Sequence, residues 1–201
     1  MNTSPHRNVF SFADAVRARA GGSDSLGSRA RRALLRWAFR DDLTALLNRR
    51  GFRLAAARRI STASRRGRPL LVFFADVDGF KQINDTFGHR EGDRALRRVA
   101  AALRKTFRRT DALARFGGDE FVALVTEEPR CSADVLGRRL RSNLARVAAE
   151  DARYRLTLTV GVVRHGPESP PSLDALLAAA DAQLYEGKRA RAPLPFRPPM
   201  A

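Results

Sequence analysis

The 201-residue chain is 44% hydrophobic, which fits one globular domain with a short extension, and its net charge of +17 indicates anionic partners such as nucleotides, nucleic acid or an acidic membrane surface. Its single cysteine, Cys131, excludes an intrachain disulfide and a cysteine-based metal site, and is compatible with the cytoplasmic location that we expect. No apolar run approaches the ~20 residues of a membrane span, and no secretory signal is recognisable, so neither is expected.

Residues 1–28 are expected to form a weakly ordered leader, ahead of a domain that spans 29–190. Apolar residues of the leader recur at helical spacing, which allows a short amphipathic helix that Gly21-Gly22-Ser23 would end. Such a helix would bind a partner or a second copy of the chain; the alternative is a frayed tail. The apolar residues are Val9, Phe12, Ala13, Val16 and Ala20.

Beyond the leader, the apolar periodicity predicts helices and strands in a defined order. A strand–helix–hairpin–helix–strand core predicts an α+β fold that is ferredoxin-like, with helices flanking a central β-sheet. Residues 191–201 contain four prolines and are expected to form an extended or disordered tail. The predicted helices cover 29–39, 49–66, 92–107, 131–149 and 173–189, and the predicted strands cover 70–77, 113–116, 121–125 and 154–163.

Two glycines and two acids, Gly117-Gly118-Asp119-Glu120, separate the strands of the predicted hairpin. Paired glycines tolerate the positive φ of a tight turn and let a ligand approach the backbone. Acidic side chains at such a turn suit divalent cations and the phosphates that those cations carry. The alternative is an ordinary glycine-rich hairpin with acids on its surface.

A second acidic pair, Asp76 and Asp78, stands where the buried strand 70–77 ends. A strand-end Asp is well placed to bind a cation, and the following loop can offer a carbonyl oxygen. If Asp76 lies near Asp119 and Glu120, three carboxylates repel one another unless a cation neutralises them. Magnesium or manganese is the expected ion. Loop capping is the alternative for the 76–78 segment taken alone.

Asn84 and Asp93 lie nine residues apart, across a loop that leads into a predicted helix. Asn both donates and accepts hydrogen bonds, and an Asp can accept two N–H donors from one planar edge. Guanine presents such an edge at N1–H and its exocyclic amine, so this pair is a candidate guanine-binding site. The alternative is an Asx-turn at Asn84 and a helix-start contact at Asp93.

These motifs form one ordered series. It comprises 41–50 (DDLTALLNRR), 76–85 (DVDGFKQIND), Gly88-His89, Gly92-Asp93, 115–121 (RFGGDEF), 157–161 (TLTVG), and Ala180-Asp181 with Tyr185 and Lys188. The series resembles the GGDEF family of bacterial diguanylate cyclases, over about residues 38–190. The resemblance implies a nucleotidyl-cyclase-type fold and the condensation of two GTP to cyclic di-GMP with release of pyrophosphate.

The resemblance also implies the residues of the active site. By matched position, Asp76, Asp119 and Glu120 would be the catalytic acids, and they would bind Mg²⁺ or Mn²⁺ together with the Val77 carbonyl. Each domain would hold one GTP, so the reaction requires a homodimer. The GTP site would contain Asn84 and Asp93 at guanine, Lys188 at the triphosphate, and Phe80, Lys81, Gly117 and Gly118 nearby.

Upstream of the hairpin, Arg108-Arg109-Thr110-Asp111 resembles the inhibitory RxxD site of the family. Arginine forks suit phosphates and guanine edges, and an Asp accepts from guanine N–H groups. Arg108 and Asp111 would therefore bind the cyclic di-GMP product, with Arg139 as a second phosphate contact. The alternative is a solvated helix end with a surface ion pair.

Three positions depart from the family pattern. Ala45 stands where Gly is usual, Thr159 where Ser is usual, and Ala192 where a phosphate-binding Arg is frequent. Arg189 or Arg191 could substitute for that Arg, because arginine is long and flexible. The departure at Ala192 keeps a second hypothesis open, in which a catalytically weak domain acts as a cyclic di-GMP receptor.

A third hypothesis, a nucleic-acid binder, depends only on the net charge. No helix-turn-helix, zinc finger or RNP-type motif supports it, so no specific nucleic acid is expected as a partner. An arginine-rich genome would produce the same charge. No sensor domain is recognisable in the sequence, which leaves two alternatives for the input signal: a sensory partner protein recruited by the leader, or a sensor in a longer protein of which this chain is a part.

Overall fold

The computed structural model describes residues 37–129, 131–149, 153–168 and 172–190. The predicted leader, the proline-rich tail and most of the predicted helix 29–39 lie outside the described residues, although 37–39 are helical. The helices are α1 (Arg49–Arg65), α2 (Phe80–Phe87), α3 (His89–Thr106), α4 (Ala133–Ala148) and α5 (Leu173–Ala190). The strands are β1 (Leu70–Val77), β2 (Ala112–Arg115), β3 (Glu120–Thr126) and β4 (Leu158–His165).

The four strands form one sheet in the order β2-β3-β1-β4, and each neighbouring pair is antiparallel. All eight residues of β1 are buried, because this strand is hydrogen-bonded on both sides and covered on both faces. This arrangement confirms the predicted α+β fold with helices around a central sheet. None of the helices in the described part of the chain is both long and apolar enough to cross a bilayer.

Alternate residues of β1 pack against opposite helix layers, as the two-residue period of a strand requires. Leu71, Phe73, Ala75 and Val77 pack with residues of α3 and α4. Leu70, Val72 and Phe74 pack with residues of α1 and α5. Asp76 belongs by this alternation to the α1/α5 face, at the point where the strand ends.

Helix α2 was not predicted from the sequence, which indicated a loop over these residues. It spans eight residues and buries only Ile83, so its apolar period is too short to recognise. Gly79 and Gly88 flank it with φ values of 68° and 82°, which favour glycine. Strand β4 also begins later than predicted, at Leu158, because its partner β1 ends at Val77, which pairs with Leu158. Tyr154 lies before the strand, and its hydroxyl donates to Glu91.

The departure at Ala45 occupies a strained backbone position. Its φ of 55° makes it the one non-glycine residue with positive φ in the described ranges. The surrounding turn is held by Asp41, whose carboxylate accepts hydrogen bonds from the Thr44 backbone N–H at 2.8 Å and the Thr44 hydroxyl at 2.6 Å. Glycine in related sequences therefore has a physical reason here, since a Cβ disfavours the left-handed region.

We expect Ala45→Gly to raise the free energy of unfolding by about 0.5–1 kcal/mol. Relief of left-handed strain, about 1–2 kcal/mol, outweighs the extra backbone entropy that glycine loses on folding. Urea unfolding measures the change. The matched control is Ala57→Gly on the exposed face of α1, where the same substitution should lower stability by about 1 kcal/mol. Equal losses at both positions would contradict the assignment of strain to Ala45.

Candidate functional site

Two carboxylates meet where β1 ends and β3 begins. The antiparallel register places Asp76 directly opposite Glu120. The Val77 N–H donates to the carbonyl of Asp119 at 3.2 Å, which holds the hairpin tip against the end of β1. Side chains of directly opposed residues project from the same face of a sheet, so the Asp76 and Glu120 carboxylates lie on the α1/α5 face.

Helix α5 brings a cation to this pair. The ammonium of Lys188 lies 2.8 Å from Oδ2 of Asp76, whose side chain is only 11% exposed. The helix approaches β4 so closely that a Cβ on Gly161 would lie 2.1 Å from the carbonyl oxygen of Ala180. The absence of a side chain at Gly161 therefore allows α5 to reach the carboxylates.

Several acids lie near one another at this end of the sheet, and Lys188 is the basic side chain that opposes their charge. Burial raises the pKa of Asp76, and the Asp119 carboxylate adds to the rise although Lys188 opposes it. Burial also raises the pKa of Glu120, and the charges of Asp76, Asp119 and Asp181 act in the same direction. Ionising these acids therefore costs free energy, and a nearby cation would offset that cost.

The hairpin glycines do not have the backbone conformation that the sequence predicted. Neither Gly117 nor Gly118 has positive φ, so the expectation of a turn that needs it is wrong. A Cβ on Gly117 would lie 2.4 Å from Oε2 of Glu120, whereas a Cβ on Gly118 would meet nothing within 4 Å. Gly117 thus makes room for the Glu120 carboxylate, and Gly118 leaves the hairpin tip open to a ligand.

The side chain of Arg115 forms hydrogen bonds with the hairpin tip. Its Nε and Nη2 atoms donate to the Gly118 carbonyl at 2.9 and 2.7 Å. Its Nη1 donates to Asp41 at 3.2 Å, on the turn that contains Ala45. The guanidinium thereby links the 41–45 turn to the loop that carries Asp119.

The second acid of the strand-end pair has a separate role. Asp78 accepts a hydrogen bond from the hydroxyl of Thr159, and its backbone N–H donates to the Thr157 carbonyl at 3.1 Å. Thr159 retains the hydroxyl of the serine that is usual at this position, so the departure from the family pattern preserves the contact. Asp78 therefore fastens the end of β1 to β4.

Asn84 and Asp93, the candidate guanine-binding pair, lie on consecutive helices that meet at Gly88. A Cβ on Gly92 would lie 1.9 Å from Oδ1 of Asn84 and 3.3 Å from the ring of Phe80. The carboxamide of Asn84 therefore lies directly over the residue that precedes Asp93. The structure brings Phe80, Asn84 and Asp93 into one neighbourhood, with Lys81 exposed in the first turn of α2.

A buried carboxylate, which the sequence analysis missed, anchors this neighbourhood. Glu91 is 3% exposed and accepts hydrogen bonds from Tyr154 at 3.0 Å and Arg153 at 2.6 Å. Arg94 and Arg98 donate to it at 3.1 and 3.2 Å. Burial alone would raise the pKa of Glu91, but these hydrogen bonds and positive charges lower it. The spacing of 91, 94 and 98 along one helix face was the available signal.

The RxxD segment forms a closed turn. The Asp111 side chain is only 5% exposed; one oxygen accepts the Arg108 backbone N–H at 2.8 Å and the other lies 3.5 Å from Arg59 of α1. Arg108 extends outward and donates to Glu128 at 2.6 Å. Arg139 lies on α4 and donates to the Thr106 carbonyl at 3.4 Å, which places it beside the same helix end.

Comparison with known proteins agrees with this geometry. Residues 38–192 match the family described as "Diguanylate cyclase, GGDEF domain". The chain belongs to the GGDEF domain family. It is 39% identical over 152 residues to diguanylate cyclase DosC of Escherichia coli K12, covering 74% of this chain and 33% of DosC. The chain thus spans about one third of the length of the first curated relatives that it matches.

Solved GGDEF structures are similar throughout the described domain. The coiled coil and GGDEF domain of DgcB from Caulobacter crescentus, solved with c-di-GMP, aligns with a TM-score of 0.67 and 26% identity over 89% of this chain and 91% of that one. Diguanylate cyclase SiaD from Pseudomonas aeruginosa, solved with its activator SiaC, aligns with the same TM-score and 28% identity over 89% of this chain and 66% of SiaD.

The donor set of this GGDEF domain fits a magnesium ion, although its carboxylates do not form a closed cage. Within the described ranges, no three His, Cys, Asp or Glu side chains converge closely enough to hold a metal on their own. Magnesium characteristically uses one or two protein carboxylates and completes its shell with water and substrate phosphates. The opposed pair Asp76 and Glu120 meets that requirement.

Asp181 is a further acid near the site that the sequence analysis did not assign. Its charge raises the pKa of Glu120. The helical period offered a signal, because Asp181 and Lys188 are seven residues apart and therefore share one face of α5.

We expect Glu91→Gln to lower the free energy of unfolding at pH 7 by about 2–4 kcal/mol, because the surrounding arginines lose a buried counter-charge. The folded-state pKa of Glu91 is lowered, so its stabilisation is present above the ordinary Glu pKa and lost as the pH falls through the lowered value. In urea unfolding, the difference in the free energy of unfolding between wild type and variant should become smaller from pH 7 to pH 3. Glu186→Gln, on the exposed face of α5, is the control, and its free energy of unfolding should equal that of the wild type at each pH.

We expect Glu120→Gln to raise the free energy of unfolding by about 0.2–1 kcal/mol without divalent ions, because it removes a like charge opposite Asp76. Magnesium should then stabilise the wild type and leave the variant nearly unchanged. Thermal unfolding with EDTA or Mg²⁺ measures both effects. Glu127→Gln, at the other end of β3, should gain nothing because it loses an ion pair with Arg164. A lower free energy of unfolding for Glu120→Gln than for the wild type would contradict repulsion between Asp76 and Glu120.

Proposed function

We propose that this domain is a diguanylate cyclase that condenses two GTP into cyclic di-GMP and releases two pyrophosphates. The observation that carries the proposal is the meeting of Asp76, Glu120 and Lys188 at one end of the sheet. Family membership and the name of the relative DosC support the same reaction.

The reaction requires attack by a 3′-oxygen of one GTP on the α-phosphorus of the other. An O–P bond forms, the α–β anhydride bond breaks, pyrophosphate leaves with the bonding electrons, and the hydroxyl proton passes to solvent. A second attack in the opposite direction closes the ring. Asp76 and Glu120 would hold Mg²⁺ or Mn²⁺, and the family resemblance adds Asp119 and the Val77 carbonyl to these two ligands. When bound, the ion lowers the pKa of the attacking hydroxyl and offsets charge on the phosphoryl oxygens.

The protein's own groups bind and orient GTP. Asn84 and Asp93 read the guanine edge, and Phe80 and Lys81 line the approach from α2. Lys188 contacts the triphosphate, and the ammonium exchanges its contact with Asp76 for one with a phosphate oxygen. Gly117 and Gly118 let the phosphates approach the hairpin backbone.

The chemistry also defines the assembly. One domain binds one GTP, so two domains must face each other and the active species is a homodimer. Since GTP is the substrate, we place the reaction in the cytoplasm, under the control of a sensory partner protein. The cyclic di-GMP product inhibits by binding at Arg108 and Asp111, with Arg139 as a second phosphate contact.

A second function, a cyclic di-GMP receptor with little turnover, is favoured by one observation. Ala192 stands where the family frequently has a phosphate-binding arginine. A weakened triphosphate site would leave product binding at Arg108 intact. Turnover and product binding must therefore be measured separately.

The full chain incubated with GTP and Mg²⁺ should yield cyclic di-GMP and pyrophosphate in a 1:2 ratio, resolved by chromatography. Glu120→Gln should reduce kcat at least about 100-fold, equivalent to about 2.7 kcal/mol of transition-state stabilisation, while the fold persists. Glu127→Gln is the matched control and should retain activity. If a confirmed dimer makes no product with Mg²⁺ or Mn²⁺, the cyclase proposal is wrong, and tight product binding by that dimer supports the receptor.

A further inference from the structure

The two residues of the RxxD segment differ in their availability to a ligand. Both carboxylate oxygens of Asp111 are engaged, one by the Arg108 backbone and one by Arg59, and the side chain is almost fully buried. The Arg108 side chain is 51% exposed. An anionic ligand that reaches this segment from solvent therefore meets the Arg108 guanidinium first.

That guanidinium already has an anionic partner. Its Nη1 atom donates to Oε2 of Glu128 at 2.6 Å, and its Nη2 atom donates to the sulfur of Cys131 at 3.3 Å. A phosphate uses the same donors, because carboxylate and phosphate both accept two parallel N–H bonds from an arginine fork. Glu128 and a phosphodiester ligand thus compete for one group.

Glu128 and Cys131, the two residues that engage Arg108, also contact each other through the backbone. The Glu128 carbonyl accepts the Cys131 N–H at 2.8 Å. Cys131 is buried at the start of α4, which anchors this backbone contact to the core.

We propose that Glu128 sets the affinity of the product site, because it occupies Arg108 in the ligand-free domain and must release it before the phosphate of cyclic di-GMP can bind. This inference depends on the proposed product site at Arg108. Glu128 acts through Arg108, so it is a positioning residue and its removal improves binding. A merely structural role would have the opposite effect.

Calorimetric titration of the full chain with cyclic di-GMP, without GTP, tests the proposal. Glu128→Gln should bind about two- to fivefold more tightly than the wild type, the range that an exposed ion pair represents. Glu127→Gln is the matched control. Glu127 precedes Glu128 in the sequence and its carboxylate also lies 2.6 Å from an arginine, but that arginine is Arg164. The control should leave the dissociation constant unchanged.

A double-mutant cycle identifies the pathway of the effect. In an Arg108→Ala background, Glu128→Gln should no longer change the affinity. Equal tightening by Glu127→Gln, or an effect that persists without Arg108, would overturn the inference in favour of a general charge effect. Unchanged or weaker binding by Glu128→Gln would also overturn it.

The outcomes separate this inference from the proposed function. If wild type and Glu128→Gln both fail to bind cyclic di-GMP, the product site and the role of Glu128 are both wrong, whereas GTP condensation is judged by its own assay. If only Glu128→Gln binds, the competition is stronger than expected and the proposal stands.

Discussion

The antiparallel pairing of β1 with β3 fixes two like charges opposite each other, and the site depends on that register. Asp76 faces Glu120 because Leu70 pairs with Thr126 at the far end of the same ladder. A slip of one residue would turn either acid to the α3/α4 face and bury it among apolar side chains. The buried apolar residues of β1 thus hold the two carboxylates together against their own repulsion.

The basic residue that contacts Asp76 is a lysine, although most basic residues of this chain are arginines. Other acids are held by guanidinium groups, as in the pairs Arg115–Asp41 and Arg164–Glu127. Asp76 instead contacts the ammonium of Lys188. An arginine fork would hold a carboxylate through two directional bonds, whereas an ammonium on a flexible stem is a point charge that can be transferred to another oxygen. The lysine therefore suits the proposed site, at which a phosphate oxygen would replace Asp76 as its partner.

Sequence patterns predicted the scaffold well because apolar period and strand length report burial directly. The limits of β1 and the order of the four strands along the chain followed from such patterns. Helix α2 did not, since eight residues with one buried side chain carry no readable period. At the candidate site, the resemblance named Asp76, Glu120 and Lys188 as candidates, but no local spacing could reveal that Lys188 contacts Asp76.

The least predictable features depended on contacts between distant segments. Gly117 was expected to supply turn flexibility, yet its missing Cβ accommodates the Glu120 carboxylate. Glu91 was invisible as a core residue because an acid among arginines on a helix resembles a solvated surface. Only the approach of Tyr154 and Arg153 from a later segment buries it.

The contact between Lys188 and Asp76 joins the last described helix to the first strand of the sheet, and this has a consequence for biosynthesis. A nascent polypeptide that has already paired β1 with β3 still lacks the ammonium that offsets its clustered acids. The half-made domain therefore carries these acids without their ammonium partner until translation delivers α5.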